Sequence, residues 1–498
     1  MEPKRHRHQC ILDDLPDHIV LNILNFFTME DIARCSTLSQ RFRRLCTSVP
    51  SLHVSRTAIE TNLLKRAKFV DFIDRFMIHR RLKLVSFRLS WSIPVLDWVL
   101  SEEYRIESWL HQAARCGVEK LNLRIFYPEG NVSSFALPVS FSSCSFLRIL
   151  LLELKNGILK LPTTGFSSLK ILNLSLVRIE HEDQFEECLS SCKCLQKLNL
   201  RNLDGIKSIN ITSTSIANLT IIQRHDTSVS AINVSACNLQ YIQIYWSSSQ
   251  SKQVKITAPS LLGLMMEGVV FDSYHLGSFN SLEHAIIFFL TNPRLLSKNK
   301  ASIDSSYLNE ILFSVRHARV LFIGIAFLKL LLTEELLLHF SYMVKVQRLH
   351  LHVTPHSEDY FFPMVVSILN RLPSLESLTM KSFFESAAPS GNASSFSMES
   401  YESKSVDFVD KLKSVLIELY RGHKALEFIK HLLNQKKALV KMTIYYSPEE
   451  HPQPSNITRA IHAFQNVSST ASVYLLPRAA QLSSDKICWA SLKEWSRK

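Results

Sequence analysis

The sequence predicts an α/β protein with two kinds of structure in succession: a small all-α domain of three helices, followed by an irregular solenoid of repeats. Apolar residues recur with a helical period over residues 12–52, and a six-residue pattern, apolar-x-x-apolar-x-apolar, then returns along the rest of the chain. With 498 residues the chain is too long for one globule, so two or three structural units are expected.

The first helix is predicted to begin at Pro16, because proline suits a first helical position and Asp17 favours the positive end of the helix dipole. Its apolar stripe is Ile19, Val20, Ile23, Leu24 and Phe27.

Two further helices follow. Thr28 is a predicted N-cap, with Asp31 completing a capping box, and Ser39 is the predicted N-cap of the third helix. Ile32, Cys35 and Leu38 form the predicted apolar face of the second helix, and the third helix is predicted to carry Phe42 and Leu45 inward. Three short helices bury little surface alone, so this unit gains from packing on something else; it could be a partner-binding domain or a helical cap for the domain that follows.

The repeat pattern is clearest in the middle of the chain, as "LRILLL" at Leu147, "LKILNL" at Leu169 and "LQKLNL" at Leu195. From Leu147 to Leu282 the copies start roughly 21–26 residues apart, within the leucine-rich-repeat range of about 20–29. Each copy predicts a short strand with one apolar face, and stacking of the strands buries a continuous core.

In a representative repeat, Leu172 and Leu174 point inward, while Lys170, Asn173 and Ser175 face the concave side or the turns. Helices or irregular turns are expected on the convex side, and one such helix is predicted near Phe185, with Phe185, Cys188 and Leu189 inward. The turn asparagine of regular repeats is often absent, although Asn202 is suitably placed. An irregular solenoid is therefore preferred, and a drifted doubly wound α/β domain is the alternative.

The predicted organisation has seven parts. They are a basic flexible N-terminus (1–10), a helical domain (11–52), a helical linker or cap of the solenoid (53–115), the leucine-rich repeats (116–384), a Ser-rich loop (385–405), C-terminal repeats or a cap (406–480) and a tail (481–498).

The helical domain resembles an F-box of the plant type. The residues that carry the resemblance are Leu15-Pro16-Asp17, Ile23-Leu24, Asp31, Leu38-Ser39 and Arg41-Phe42-Arg43. Phe42 stands where tryptophan is usual and Thr28 where proline is common. An aromatic ring still fills the first position and threonine can still cap a helix at the second.

The C-terminal part is similar to the FBD-type module that follows F-box and leucine-rich repeats in a large plant family. The matching features are Leu412-Lys413, Arg421-Gly422, a helix at Glu427-Phe428 and Lys441-Met442-Thr443. The stripe of that helix is Ala425, Phe428, Ile429, Leu432 and Leu433. A further strand is predicted near the end of this module, which would close the solenoid as a terminal repeat.

The resemblance implies a non-enzymatic adaptor. The F-box would dock on a Skp-type subunit and through it on a cullin, and the repeats would bind an unknown target protein for ubiquitination. The residues that would contact the Skp-type subunit are Leu15, Pro16, Ile19, Ile23, Leu24 and Leu38. The alternative is a leucine-rich-repeat scaffold or receptor without a ubiquitin-ligase role.

Within the repeats, His350 and His352 alternate on one predicted strand face and are candidates for target contact, against the simpler interpretation of solvated strand positions. No catalytic motif or glycine-rich phosphate loop is found, so no cofactor is expected. Neither "CLSSCKC" (Cys188, Cys192, Cys194) nor the "RHRH" tail (His6, His8) has a convincing metal-ligand pattern.

The net charge of +13 suits a nucleic-acid or acidic-protein partner, but lysine and arginine are scattered, so direct nucleic-acid binding is not expected. The most apolar segment, residues 320–332, is too short to span a bilayer, and no secretory signal is visible; an intracellular protein, cytoplasmic or nuclear, is expected without membrane contact.

Overall fold

The structure is a computed structural model, and it describes most of residues 15–382 together with parts of the C-terminal region. The described residues are 15–56, 63–80, 82–94, 99–130, 133–142, 144–164, 166–247, 253–289, 306–324, 327–328, 338–353, 358–382, 411–418, 428–429, 432–433, 439–446 and 472–477. The predicted N-terminal tail, Ser-rich loop and C-terminal tail, including His6 and His8, lie outside them.

The N-terminal helical domain has the three predicted helices, α1 (Asp17–Leu24), α2 (Met29–Cys35) and α3 (Gln40–Ser48). Both predicted caps are confirmed. The Asp31 amide donates to the Thr28 hydroxyl at 3.4 Å while the Thr28 amide donates to the Asp31 carboxylate at 3.3 Å, which is a reciprocal capping box. The Phe42 amide donates to the Ser39 hydroxyl at 3.1 Å.

The strands that follow are parallel to their neighbours in every described ladder, so the predicted α/β fold with leucine-rich-repeat strands is confirmed. The chain divides into an N-terminal unit, Met1–Leu239 with Ser247–Lys252, and a C-terminal unit, Gln240–Trp246 with Gln253–Lys498.

In the N-terminal unit, seven strands form one sheet, in chain order. They are β1 (Ser51–Arg56), β2 (Ser86–Ser92), β3 (Lys120–Phe126), β5 (Ile149–Lys155), β7 (Ile171–Ser175), β8 (Lys197–Arg201) and β10 (Asn218–Gln223). Helices α4 (Leu63–Ile78), α5 (Val99–Arg115) and α6 (Glu182–Ser191) lie between them in the chain. Smaller parallel pairs are formed by β4 (Ser133–Ala136) with β6 (Gly157–Lys160) and by β9 (Ser208–Thr212) with β11 (Ala231–Ser235).

The sheet begins earlier than the sequence analysis placed the first repeat. Residues 53–115, expected to be a helical linker or cap, contain β2 and most of β1, and both strands continue the parallel register of β3. Their inward residues alternate and are apolar, as Phe87, Leu89 and Trp91 do in "SFRLSWS". Both strands fit the six-residue pattern, from Val49 and from Leu84, but these copies start about 35 residues apart and so fall outside the regular spacing, while the alternation is the one that a half-buried strand needs.

In the C-terminal unit the main sheet has nine strands. They are β12 (Tyr241–Trp246), β14 (Gly263–Gly268), β16 (His284–Phe289), β17 (Val320–Gly324), β18 (Arg348–Val353), β19 (Ser377–Ser382), β20 (Ser414–Glu418), β21 (Lys441–Tyr446) and β22 (Ser472–Pro477). A second parallel pair is β13 (Gln253–Thr257) with β15 (Ser273–Leu276). Helices α7 (Ser306–Ser314) and α8 (Glu358–Leu369) belong to this unit, and β22 is the predicted additional strand.

The core is built from the predicted alternation. Leu172 and Leu174 are fully buried, while Asn173 and Ser175 lie on the opposite face of the sheet. Helix α6 buries Phe185, Cys188 and Leu189 as predicted. In the C-terminal module the described residues of the predicted helical stripe, Phe428, Ile429, Leu432 and Leu433, are also buried.

Candidate functional site

The first candidate site is the outer surface of the helical domain, and it arises from two neighbouring stripes on α1. Val20 and Leu24 face the core, where they are 2% and 1% exposed. The other stripe, Ile19, Ile23 and Phe26, is spaced by four and three residues and therefore follows one face of the helix. Because the last helical turn continues past Leu24, with the Phe26 amide donating to the Ile23 carbonyl, Phe26 stays in line with Ile19.

This second stripe is open to solvent. Phe26 is 89% exposed, Ile19 is 37% exposed and Ile23 is half-buried. Leu38, just before α3, is 66% exposed. Among the described residues, seven large apolar side chains elsewhere in the N-terminal unit are also exposed, by 39–80%. Here, however, Ile19, Ile23 and Phe26 share one face of a short helix, and neighbouring exposed apolar side chains mark an interaction site.

Arg41 brings the start of α1 against the start of α3. Its guanidinium donates to the Leu15 carbonyl and forms an ion pair with Asp17 at 2.7 Å. These contacts place Leu15 and Pro16 beside the start of α3, which Leu38 precedes. Leu15 is half-buried and Pro16 is exposed. We call Leu15, Pro16, Ile19, Ile23, Phe26 and Leu38 the docking face.

Of the six residues predicted to contact a Skp-type subunit, Leu24 differs from the others. It is 1% exposed in the core of the domain, so its role is to support the helices and not to form their surface. Phe26 was not among the predicted contacts, because the apolar cluster Ile23, Leu24, Phe26 and Phe27 does not by itself show which side chains point outward. Its position seven residues after Ile19 is the signal that could have found it.

The docking face rests on a rigid base. Phe42, at the position where tryptophan was expected, is 5% exposed and fills the core between the helices. The domain is tied to β1 by Arg56, which pairs with Glu30 at 2.5 Å. It is tied to the segment after α4 by Arg80, which donates to the Thr47 carbonyl at 3.1 Å and to the Val49 carbonyl. The guanidinium of Arg80 thus meets the carbonyls at the end of α3, where the helix dipole favours a cation.

The second candidate site holds His350 and His352, which share one face of β18 as predicted. His350 stacks on Phe322 with ring centroids 4.0 Å apart, and His352 meets Phe288 edge to face at 5.6 Å. Burial, reinforced by Lys381, lowers the pKa of each imidazole to about 4, so both rings are neutral at physiological pH. They are half-buried aromatic partners, and not the solvated strand positions of the simpler interpretation.

The cysteine cluster is structural in its described contacts. Cys188 and Cys192 are buried one helical turn apart, and the Cys192 sulfur accepts the Phe166 amide at 3.3 Å, while Cys194 is exposed. Among the residues that the structure describes, no three His, Cys, Asp or Glu side chains converge as metal ligands would. None of the described helices is both long and apolar enough to cross a bilayer.

A capped three-helix domain followed by parallel leucine-rich-repeat strands defines the F-box/leucine-rich-repeat class. The F-box domain family model matches residues 12–53. A second model, for the leucine-rich repeats of FBD-associated F-box protein At5g56370, matches residues 106–279. The resemblance to plant F-box/LRR proteins with an FBD-type module is confirmed by these matches and by the relatives below.

Three relatives from Arabidopsis thaliana illustrate the similarity. FBD-associated F-box protein At1g66310 is 28% identical over 211 residues, covering 41% of this chain and 44% of the relative. Putative F-box/FBD/LRR-repeat protein At3g59240 is 24% identical over 465 residues (88% and 84%), and putative F-box/LRR-repeat protein At3g59170 is 22% identical over 506 residues (94% and 98%). The chain spans about half the length of the first curated relatives that it matches.

Proposed function

We propose that this chain is the substrate-recognition adaptor of a Skp–cullin–F-box type E3 ubiquitin ligase, with no bond-making chemistry of its own. The docking face binds a Skp-type subunit and through it a cullin, and the repeats hold a target protein. The contribution to catalysis is proximity, because a tethered target meets the ubiquitin-charged enzyme at a raised effective concentration. Such an adaptor works inside the cell, in the cytoplasm or the nucleus.

The observation that carries the proposal is the exposure of Phe26 and Leu38 on an F-box whose core is otherwise well filled. Leaving a large apolar side chain in water costs about 1.5–3 kcal/mol relative to burying it, so both residues would contribute strongly once a partner covers them. The alternative, a leucine-rich-repeat scaffold without a ligase role, gives no account of these two side chains.

The proposal predicts that Phe26→Ser with Leu38→Ser abolishes capture of a purified Skp-type subunit by the full chain. If each side chain contributes about 1.5–3 kcal/mol, the dissociation constant rises by roughly a hundredfold or more. Leu15→Ala with Pro16→Ala should weaken capture in the same way while leaving the repeats folded. Binding is measured by titration calorimetry, and folding by circular dichroism.

The matched control is Val139→Ser, which removes an apolar side chain that is 80% exposed outside the helical domain. It should bind the Skp-type subunit as the wild type does. Unchanged binding by the Phe26/Leu38 variant would show that the docking face does not bind the Skp-type subunit. Failure of the wild type to bind at micromolar concentration would contradict the adaptor function and favour the scaffold alternative.

A further inference from the structure

One face of the main sheet in the N-terminal unit is strongly basic. This sheet consists of the seven strands β1, β2, β3, β5, β7, β8 and β10. Their residues that point away from the core include six basic side chains and one carboxylate, Glu153. We call the six the basic face: Arg88, Lys120, Arg124, Lys155, Lys197 and Arg201.

Most of this charge is not neutralised within the protein. Glu153 contacts Arg124 at 3.5 Å. Across the part of the chain that the structure describes, no carboxylate lies within ion-pair distance of the other five cations. His53 lies on the same face. Its pKa is lowered mainly by burial, and the positive charges of Arg88 and Arg124 lower it further.

The basic residues are regularly placed. Lys120 and Lys197 occupy one row across the sheet, and Arg124 and Arg201 occupy a second row. Each pair is separated by three strand-to-strand steps, about 14 Å, and the rows are four residues apart along the strands, about 13 Å. The four cations thus mark the corners of a square on the sheet.

Between the two basic rows runs a row rich in amide side chains. It consists of Asn122, Leu151, Asn173 and Asn199, which are paired in register across β3, β5, β7 and β8. The Asn173 side-chain oxygen is shielded from solvent and has no hydrogen-bond partner in the described structure.

We infer that the basic face binds an acidic, extended segment of the protein target, lying along the asparagine row with carboxylates reaching the basic rows on either side. An extended chain advances about 3.3–3.4 Å per residue, so 14 Å corresponds to about four residues. The segment should therefore carry Asp or Glu about four residues apart. This inference deepens the proposed function, because it names the class of target that the repeats would deliver.

The amide row favours a peptide over a nucleic acid. An asparagine amide carries both donors and an acceptor, which matches the peptide groups of an extended chain. Single-stranded nucleic acids bind on aromatic stacking platforms, and Phe126 is the one aromatic carbocycle that these seven strands present on the basic face. In the C-terminal unit, the corresponding face of the described strands carries Arg348, Lys381 and Lys441 beside Glu267 and Glu418 and is richer in aromatic rings. The large excess of positive charge is therefore a property of the N-terminal unit.

The test is selection of a displayed library of random 12-residue peptides on the full-length chain. We expect enrichment of peptides with two or more acidic residues, with a spacing of about four recurring among them. The selected peptides are then synthesised and their binding is measured by fluorescence anisotropy, with glutamine and asparagine versions as controls. Lys197→Glu with Arg201→Glu should weaken binding roughly tenfold or more, and raised salt should weaken binding to the wild type.

The control variant Lys193→Glu with Lys207→Glu makes the same change in net charge at two exposed residues outside this sheet, and it should bind as the wild type does. If the first variant loses the wild-type circular dichroism spectrum, Lys120→Glu with Arg124→Glu repeats the test on β3.

Three results would overturn the inference: no enrichment of acidic peptides, equal binding of the amide versions, or equal loss of binding in the control variant. A 12-nucleotide single strand that binds more tightly than every selected peptide would assign the face to nucleic acid instead. Binding to a Skp-type subunit is measured separately, so a failed docking proposal and a failed acidic-segment inference give different results.

Discussion

At the level of single residues, a buried ion pair joins the first helices and strands of the repeats. Arg66 on α4 and Glu102 on α5 are 2% and 3% exposed, and they make two contacts of 2.8 Å. The indole of Trp91 on β2 donates to the same carboxylate at 2.9 Å, and Arg66 also donates to the Ser92 carbonyl at 2.7 Å. Every charged group in the cluster therefore has a partner, which a buried charge requires.

Glu102→Gln should destabilise the N-terminal unit strongly, because it leaves the Arg66 guanidinium buried without a counter-charge. The expected loss in the free energy of unfolding is about 3–5 kcal/mol. Urea unfolding followed by tryptophan fluorescence measures this loss. The control is Asp71→Asn, which removes an exposed carboxylate 3.0 Å from Arg105 and should cost about 1 kcal/mol or less. Equal losses for the two variants would show that burial does not govern the cost.

The histidine pair of β18 predicts a dependence of stability on acid. Both imidazoles have a folded-state pKa of about 4, below the value of about 6.5 expected when the chain unfolds. The unfolded chain therefore binds more protons between these values, and the free energy of unfolding of the C-terminal unit should fall as the pH drops from about 6.5 to about 4. Neighbouring Lys381 and Arg348 disfavour the protonated rings as well.

His350→Gln with His352→Gln should reduce that loss of stability in acid, as urea titrations between pH 7 and pH 4 would measure. The wild type should lose more stability than the variant over this range, by up to about 3 kcal/mol for each histidine. Glu267 has the opposite effect on the pH dependence of stability. Burial raises its pKa to about 7, so the stability that its protonated form contributes is lost as the pH rises through that value. A variant with the wild-type slope would contradict the assignment to the histidines.

At the level of elements, the turns that leave the strands depend on left-handed backbone. Asn156, Leu176 and Asn202 each follow the last residue of a strand and have φ values of 62°, 53° and 48°. The Asn202 side chain also accepts the Arg224 amide at 2.9 Å, so the predicted turn asparagine joins neighbouring repeats. Gly205, with φ of 88°, lies in a tighter place, where an added Cβ would stand 2.2 Å from the Ile179 carbonyl oxygen.

Gly205→Ala should therefore cost more than a glycine substitution that changes only the backbone preference. Gly130 is the matched control, because its φ is 82° and an added Cβ would meet nothing within 4 Å. Gly130→Ala is expected to lower the free energy of unfolding by about 1 kcal/mol, and Gly205→Ala by at least about 2 kcal/mol more. Urea unfolding of both variants measures the difference, and equal costs would show that the close approach to Ile179 is relieved without strain.

The sequence predicted these elements unevenly, for physical reasons. Helix caps such as Thr28 and the alternation of Leu172 and Leu174 are local signals, and both were predicted correctly. The strands β1 and β2 were missed because their copies of the pattern, at Val49 and Leu84, start about 35 residues apart, with the long helix α4 between them, and not 21–26 residues apart as in the clear repeats. Phe26 was missed because an apolar run does not reveal which side chains the core leaves outside.

At the level of the whole molecule, the stacking of the strands brings together cations that are scattered along the sequence. Lys120 and Lys197 are 77 residues apart, yet the register of β3, β5, β7 and β8 brings them into one row. The docking face and the basic face both belong to the N-terminal unit, so the two proposed binding surfaces lie in one unit.

The central claim is tested most directly by co-purification from plant cells with proteasome activity blocked. We compare the tagged full chain with its Phe26→Ser/Leu38→Ser variant and quantify the bound proteins by mass spectrometry. The account predicts that a Skp-type subunit and a cullin accompany the wild type and are lost from the variant, while the target proteins remain bound to both. Absence of both ligase subunits from the wild type, or their equal recovery with the variant, would contradict it.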